Sequence, residues 1–577
     1  MSDAGVGRPP SAAGVSTPVA AAHFDALYEF DREPVTEDRL IGPGHFAGAF
    51  AGEHVAATEF VIGVMFVNWG AGLRDMFLGL ALGNAMAVLT WTLLCAPVAV
   101  QTRLTLYWYL RSIGGPWLTV IYNLLNAVLF CILAGCMITV SASAVRIPFG
   151  IAPQVHWYPD DIRFVLVVFA VGAVVVGLAM AGFKRLAAFS TVCSPWMFLM
   201  FIAGALVALP ALAQQAGLDG VSGWSDFAAM GERVVWTGRT PDGAAPMGFW
   251  KIAAFAWICN LAMHGGLSDM ALFRYARHSS YGFFSAVGMF LGHYLAWICA
   301  GLMGAGAALL LQAPLSQLDS GAVAYTTIGW AGILAVIVAG WTTSNPTLYR
   351  AGLALQAVTP NWSRTKVTLV AGVATTVIAC FPFVFTRLLD FVGLYGLLLA
   401  PAGAIVLTEH WLFPRLGLTR YWAHYQGLAL NWPALGAWTG SVIVGLVLER
   451  FGLLHLFYLF VPVYLLTMGT YIVLAAAAGA RVPAPAGATG IPGIERRRVA
   501  PAAPRGTSSR TSPAAIAAGM LAAAALVVCL WVPIRAAGLT AEQITATLPS
   551  IKLWLILATL LYLVAGTVFY IARYGDD

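Results

Sequence analysis

Apolar stretches of about 20 residues recur from roughly residue 45 to the C-terminus, each long enough to cross a hydrocarbon core of about 30 Å at 1.5 Å per helical residue. No soluble fold has room for so many of them. Hydrophobic residues make up 60% of the chain and charged residues 10%, against roughly a quarter charged in soluble domains. The expected fold class is an all-α polytopic membrane protein. Its predicted spans, about fourteen in number, are residues 45–70, 75–99, 116–142, 162–182, 188–212, 248–268, 281–311, 323–345, 366–385, 388–410, 431–449, 453–478, 514–534 and 551–572.

Alternate loops differ in basic residues. One set holds Arg103, Arg111, Lys184, Arg185, Arg274, Arg277, Arg364, Lys366, Arg415, Arg420 and Arg496 to Arg498; the other holds Arg74, Arg146, Arg233 and Arg239. By the positive-inside bias the first set is expected in the cytoplasm, together with both termini of an evenly spanning chain in the plasma (inner) membrane. The net charge of +6 is a consequence of this topology and calls for no nucleic-acid partner. Residues 1–44 form a polar segment without a signal-peptide pattern, so the first helix is expected to act as the signal. The eight cysteines lie within predicted spans and read as small packing residues.

Residues 479–513 are rich in Pro, Ala, Gly, Ser and Arg and are expected to be a flexible cytoplasmic linker. It separates a core, 45–478, from a two-helix tail, 514–577. The tail carries few polar residues, and its alanine-rich stretch Ala514 to Ala525 would permit close helix packing or a homo-oligomer contact.

Within the first span sits Gly52-Glu53-His54-Val55-Ala56-Ala57-Thr58-Glu59-Phe60. An ionisable group at mid-membrane costs at least about 2.5–3.5 kcal/mol, so these side chains must face a protein interior, a cavity or an ion. Polar residues also collect in the third span (Asn123, Asn126), the sixth (Asn260, His264, Ser268, Asp269) and the eighth (Thr342 to Asn345). The first and sixth are each interrupted by glycine beside polar groups, at Gly52-Glu53-His54 and at His264-Gly265-Gly266. Interrupted helices five spans apart are what a five-plus-five inverted repeat presents, with unwound backbone supplying ligands at the midplane. In the eighth span the adjacent Thr342 and Thr343 offer neutral oxygens that suit sodium, ahead of an expected helix break at Asn345-Pro346.

The segment Ala339 to Tyr349, the sixth-span end Gly266-Leu267-Ser268-Asp269 with Arg274-Tyr275, the loop Leu110 to Gly114 and the second-span stretch Gly72 to Asn84 together resemble the nucleobase:cation symporter-1 family, in its purine and cytosine permease branch. The resemblance covers roughly residues 45–478. It implies a leucine-transporter-like fold of about 12 core helices, here followed by two more, that works by alternating access. It also implies a sodium site made by Ala339, Thr342 and Thr343 with main-chain carbonyls at the first-helix break, placed near Val55 and Thr58. Family members hold a flat heterocycle between aromatic faces; Trp257 and Asn260 in the sixth helix and Asn126 in the third are the matching candidates. The third helix departs from the family by lacking its Gln and Trp, and Leu348 stands where some members carry a substrate-binding Asn.

The resemblance does not account for Glu53, His54 and Glu59. On a regular helix His54 and Thr58 share a face, whereas Glu53 and Glu59 point away from it. Glu59 is the preferred substrate contact; Glu53 suits either a backbone N–H at the break or a cavity, and His54 suits packing. Asp269 is expected to pair with Arg274 or a helix end. The expected function is sodium-coupled symport of a nucleobase or related small heterocycle. The alternative is a proton-coupled symporter of a small cationic or amine solute that uses Glu59, Glu53 or His54. No Walker A, HExxH or GxSxG motif supports an enzyme, and no cofactor beyond the coupling ion is expected.

Overall fold

The computed structural model describes residues 32–494 and 512–574, apart from 155, 181, 182, 360, 489 and 493. The first 31 residues of the expected N-terminal segment, and 495–511 of the expected linker, lie outside the described residues. No strand forms among the described residues, only two isolated bridges.

The helices in chain order are α1 (Pro43–His54), α2 (Ala57–Asn68), α3 (Leu73–Thr102), α4 (Leu106–Val145), α5 (Ile162–Met180), α6 (Phe183–Gln215), α7 (Phe249–Ile258), α8 (Leu261–His264), α9 (Ser279–Leu311), α10 (Ser320–Ile328), α11 (Trp330–Val358), α12 (Arg364–Ala379), α13 (Val384–Leu407), α14 (Trp432–Arg450), α15 (Phe460–Ala480), α16 (Pro513–Ala537) and α17 (Ala541–Tyr574). Among the described residues ten helices are long and apolar enough to cross a membrane, and the α1–α2 pair, bent by 52°, makes an eleventh if counted as one span. The other three expected crossings fall short for visible reasons. Helix α7 has 10 residues before it breaks, α12 has 16, and α11 carries hydroxyl, amide and guanidinium groups along its middle. The chain is an integral multi-pass membrane protein.

The eighth crossing differs from the expected 323–345. Residues 320–328 form the short α10, which stops at Gly329 with φ 64 and ψ −138, a conformation open to glycine alone. Helix α11 then starts at Trp330 and runs through Asn345-Pro346 to Val358, so the expected break there does not occur. Pro346 cannot donate to the Thr342 carbonyl, but transmembrane helices tolerate this where neighbouring helices hold the chain. Arg350, one turn later, supplies that hold, as shown below.

Helix α11 packs along α4 at backbone distance: a Cβ on Gly340 would stand 1.8 Å from Ser141 Oγ. The tail packs against α6. Trp196 Nε1 donates to Thr559 Oγ1 at 2.9 Å, and the Tyr562 hydroxyl donates to the Val192 carbonyl at 2.7 Å. Ala515, Ala518, Ala522 and Ala525 are buried at helical spacing. The alanine face that could have met a second copy therefore lies inside this chain. Side chains such as Leu465, Val473 and Val564 remain exposed on the outer helices, as lipid contact requires.

Candidate functional site

Two interrupted crossings meet α11 in the interior. Helix α1 ends at His54, Val55 and Ala56 are non-helical, and α2 resumes at Ala57. The break thus falls at Val55-Ala56, three residues beyond the expected Gly52. Gly52 serves close packing instead, since a Cβ there would stand 2.4 Å from Ser190 Cβ. The sixth crossing is interrupted twice: at Cys259-Asn260, between α7 and α8, and again after His264, where Gly265 to Asp269 leave the helix and Leu267 takes φ 62.

Three charged side chains tie these breaks to α11. The Arg350 guanidinium donates to both Glu53 oxygens, at 2.6 and 3.0 Å, and to Asp269 Oδ1 from Nε at 3.0 Å and Nη2 at 2.5 Å. Trp91 Nε1 donates to the remaining Asp269 oxygen at 2.7 Å. All are buried, and the planar fork of arginine suits two carboxylates at once. Glu53 is therefore held by a guanidinium, and Asp269 is held across the bundle by Arg350.

Above this clasp the Thr343 hydroxyl lies 2.9 Å from the Glu53 carbonyl and 3.1 Å from the Ala339 carbonyl. The Thr342 hydroxyl also reaches Ala339 O at 3.1 Å. The first-helix carbonyl that faces Thr343 is thus that of Glu53, two residues before Val55 and five before Thr58. The reason is the position of the break: α1 ends at His54, so the last carbonyls of its final turn are left without intrahelical donors.

Glu59 lies in the first turn of α2 and points toward α9. Its carboxylate accepts from the Trp297 indole and stands 3.6 Å from His293 Nε2. His293 stacks on Trp297 at 4.5 Å, and its Nε2 is 3.5 Å from Asn260 Nδ2. His54 donates from Nδ1 to the Phe50 carbonyl, and its ring sits 5.2 Å from that of His293. A cavity of about 40 Å³ is lined by Glu53, His54, Thr58, Glu59, Asn260, Thr343 and Thr347, with aliphatic and sulfur side chains closing the remaining walls. Pockets for small molecules usually measure about 300 Å³ or more, so this cavity as it stands is too small for a solute of that size.

Glu59, Asn260, Thr58 and Thr343 thus converge on one cavity; Trp257 and Asn126 do not. Trp257 Nε1 donates to Thr90 Oγ1 at 2.9 Å, and its ring packs edge-on against Phe460. The indole is held there by packing between α3 and α15. Asn126 is buried on α4 beside the Tyr107 hydroxyl and does not line the Glu59 cavity. The sequence reading missed Arg350, His293, Trp297 and Trp91. Arg350 lay beyond the expected end of its span, and a longer eighth helix would have exposed it as a buried cation. Nothing in the local sequence distinguishes His293 or the two tryptophans from packing residues.

No family model matches the chain, and no curated protein matches it in sequence. Solved structures do match. Mhp1, a nucleobase-cation-symport-1 family transporter, in a closed conformation with bromovinylhydantoin bound, aligns with TM-score 0.60 at 16% identity over 79% of this chain and 98% of its own. Its inward-facing conformation aligns with TM-score 0.59 at 16% identity, over 78% and 95%. A Na+-coupled sialic acid symporter in a substrate-bound outward-open state aligns with TM-score 0.55 at 14% identity, over 80% and 96%. The fold is that of these transporters, the leucine-transporter-like arrangement.

Proposed function

We propose that this chain is a secondary active transporter of the nucleobase:cation symporter-1 type, coupling sodium entry to movement of a small nitrogen-bearing solute by alternating access. The observation that carries the reading is the meeting of Thr343 with the Glu53 and Ala339 carbonyls at the first-helix break. A hydroxyl and two main-chain carbonyls from different helices, beside Thr342 and buried from water, form the kind of neutral oxygen set that replaces the hydration shell of a monovalent ion. Ala339, Thr342, Thr343 and the Glu53 carbonyl are the proposed sodium ligands, with the Val55-Ala56 break and Thr58 flanking them. The motif resemblance and the Mhp1-like fold support a nucleobase-like heterocycle as the solute, with Glu59 and Asn260 receiving its N–H groups.

In this reading the basic loops lie in the cytoplasm. The end of the bundle that carries them is closed in the present conformation: Val35 N donates to the Arg103 carbonyl at 3.0 Å, and Ile41 N to the Tyr275 carbonyl at 3.1 Å. The Arg350 clasp holds both interrupted crossings to α11 at the same time. Opening toward the cytoplasm then requires these contacts to part together, while the sodium oxygens at the break are pulled apart.

Uptake of radiolabelled nucleobases into proteoliposomes, with sodium and proton gradients imposed separately, tests the coupling. Thr343→Ala is expected to raise the sodium concentration for half-maximal uptake about tenfold, the equivalent of one lost hydrogen bond of about 1.4 kcal/mol, with solute preference unchanged. Sodium activation identical to wild type would refute the site.

A further inference from the structure

We infer that the C-terminal pair α16–α17 is a brace on α6 that holds the proposed sodium site closed toward the cytoplasm, with Thr559 and Tyr562 as its positioning residues. This rests on the sodium-site reading above and extends it to a part of the chain outside the core.

Helix α6 has two occupied faces. Ser190, Ser194, Met197 and Phe201 recur at helical spacing and meet the first crossing and α11. A Cβ on Gly52 would stand 2.4 Å from Ser190 Cβ and 3.1 Å from Ser194 Oγ, and one on Gly48 would stand 2.6 Å from Thr191 Oγ1. Met197 Sδ lies 3.8 Å from the hydroxyl of Thr342, a proposed sodium ligand, and Phe201 stacks on Phe60 at 4.2 Å. On the other face are Val192, Trp196 and Met200, all held by α17. The Tyr562 hydroxyl donates to the Val192 carbonyl, and Thr559 Oγ1 accepts from the Trp196 indole and lies 3.9 Å from Met200 Sδ.

Pro195 stands between the two faces' contacts. It cannot donate to the carbonyl four residues back, so α6 lacks a rung there and can bend. The tail fastens both sides of this weak point, at Val192 before it and at Trp196 after it. A brace also needs an anchor. Ten residues before Tyr562, the Lys552 side chain covers the α10–α11 junction: a Cβ on Gly329 would meet it at 3.0 Å, and its ammonium stands 5.5 Å from the Tyr325 ring centre. One helix thus ties α6 to the start of the helix that carries Thr342 and Thr343. For sodium to leave toward the cytoplasm, the half of α6 before Pro195 must part from α1. That motion pulls Val192 and Trp196 from hydrogen-bond partners that lipid cannot replace.

The test uses the full chain purified in detergent, with sodium as the added ligand and choline as the control cation. Amide hydrogen exchange over residues 188–194 is followed against sodium concentration. In the double variant Thr559→Val, Tyr562→Phe, exchange without sodium should be faster than in wild type. The sodium concentration for half-maximal protection should rise about fivefold, the low end of coupling between linked sites. Tyr562→Phe alone, the milder change, should shift it less in the same direction, and Thr559→Ser, which keeps the hydroxyl, should match wild type. Variants that lower the melting temperature but leave the sodium midpoint and the exchange of 188–194 unchanged overturn the inference, since the tail is then packing alone. Thr343→Ala tells the two readings apart: if it shifts the midpoint and the tail variants do not, the sodium site stands without the brace. If Thr343→Ala shifts nothing, the sodium site fails and the brace with it.

Discussion

Arg350→Ala is expected to destabilise the protein by about 3–5 kcal/mol, the range for removing one partner from a buried ion pair. The loss should be at the upper end because two carboxylates, Glu53 and Asp269, are left facing each other without the cation between them. Arg350→Lys should recover only part, since an ammonium cannot form paired bonds to two carboxylates at once. The triple variant Glu53→Gln, Asp269→Asn, Arg350→Met removes all three charges and should return most of the stability, while uptake remains impaired because the clasp also sets how the breaks meet α11. Denaturant unfolding of the purified variants in detergent measures this. Arg350→Ala within about 0.5 kcal/mol of wild type, the scatter of ordinary surface changes, would mean that the clasp does not hold these helices together.

Gly292→Ala carries the second large effect. Helix α9 passes the first-helix break so closely that a Cβ on Gly292 would lie 2.1 Å from the His54 carbonyl oxygen and 2.4 Å from its carbon. Both obstacles are backbone, so no rotamer change relieves the clash. Overpacking of this kind costs about 1–3 kcal/mol, and here it would also displace the break that bears the proposed sodium carbonyl. Gly440 on α14 is the control, because nothing lies within 4 Å of a Cβ there. Gly440→Ala should be neutral or stabilising by about 0.5–1 kcal/mol, as a helical glycine replaced by alanine usually is. Equal melting temperatures and equal sodium dependence for the two variants would show that the contact between α9 and the break is not tight.

The legible part of this molecule is the part that local chemistry controls. That the chain crosses a membrane many times, the polar character of the first, sixth and eighth segments, and the Thr342-Thr343 pair follow from hydropathy and residue type at each position, whereas three of the fourteen expected crossings fall short. The tail follows in the same way, although its second helix starts at Ala541, ten residues before the expected 551. The site was legible only in outline. Glu59, Asn260 and Thr343 do meet at one cavity: Glu59 and Asn260 lie at or beside interruptions, and Thr343 lies on the unbroken α11 that reaches the first of them. Trp257 and Asn126 were assigned from helix position alone, and position does not fix which way a side chain turns. The Trp257 indole turns to Thr90 on α3 and Phe460 on α15, partners far from it in the chain.

The sequence by itself determined that Glu53 and Glu59 would be buried in a lipid-spanning helix, since composition and span length leave them no other place. It could not determine their pairing. Arg350 and Glu53 are 297 residues apart in the chain and meet only because α11 runs straight through Pro346 past the end of α1. That meeting decides which carboxylate is neutralised and which is left for a ligand. Burial is a property of each residue's own environment and can be read along the chain, whereas the partner of a buried charge depends on the relative register of helices, which tertiary packing alone sets.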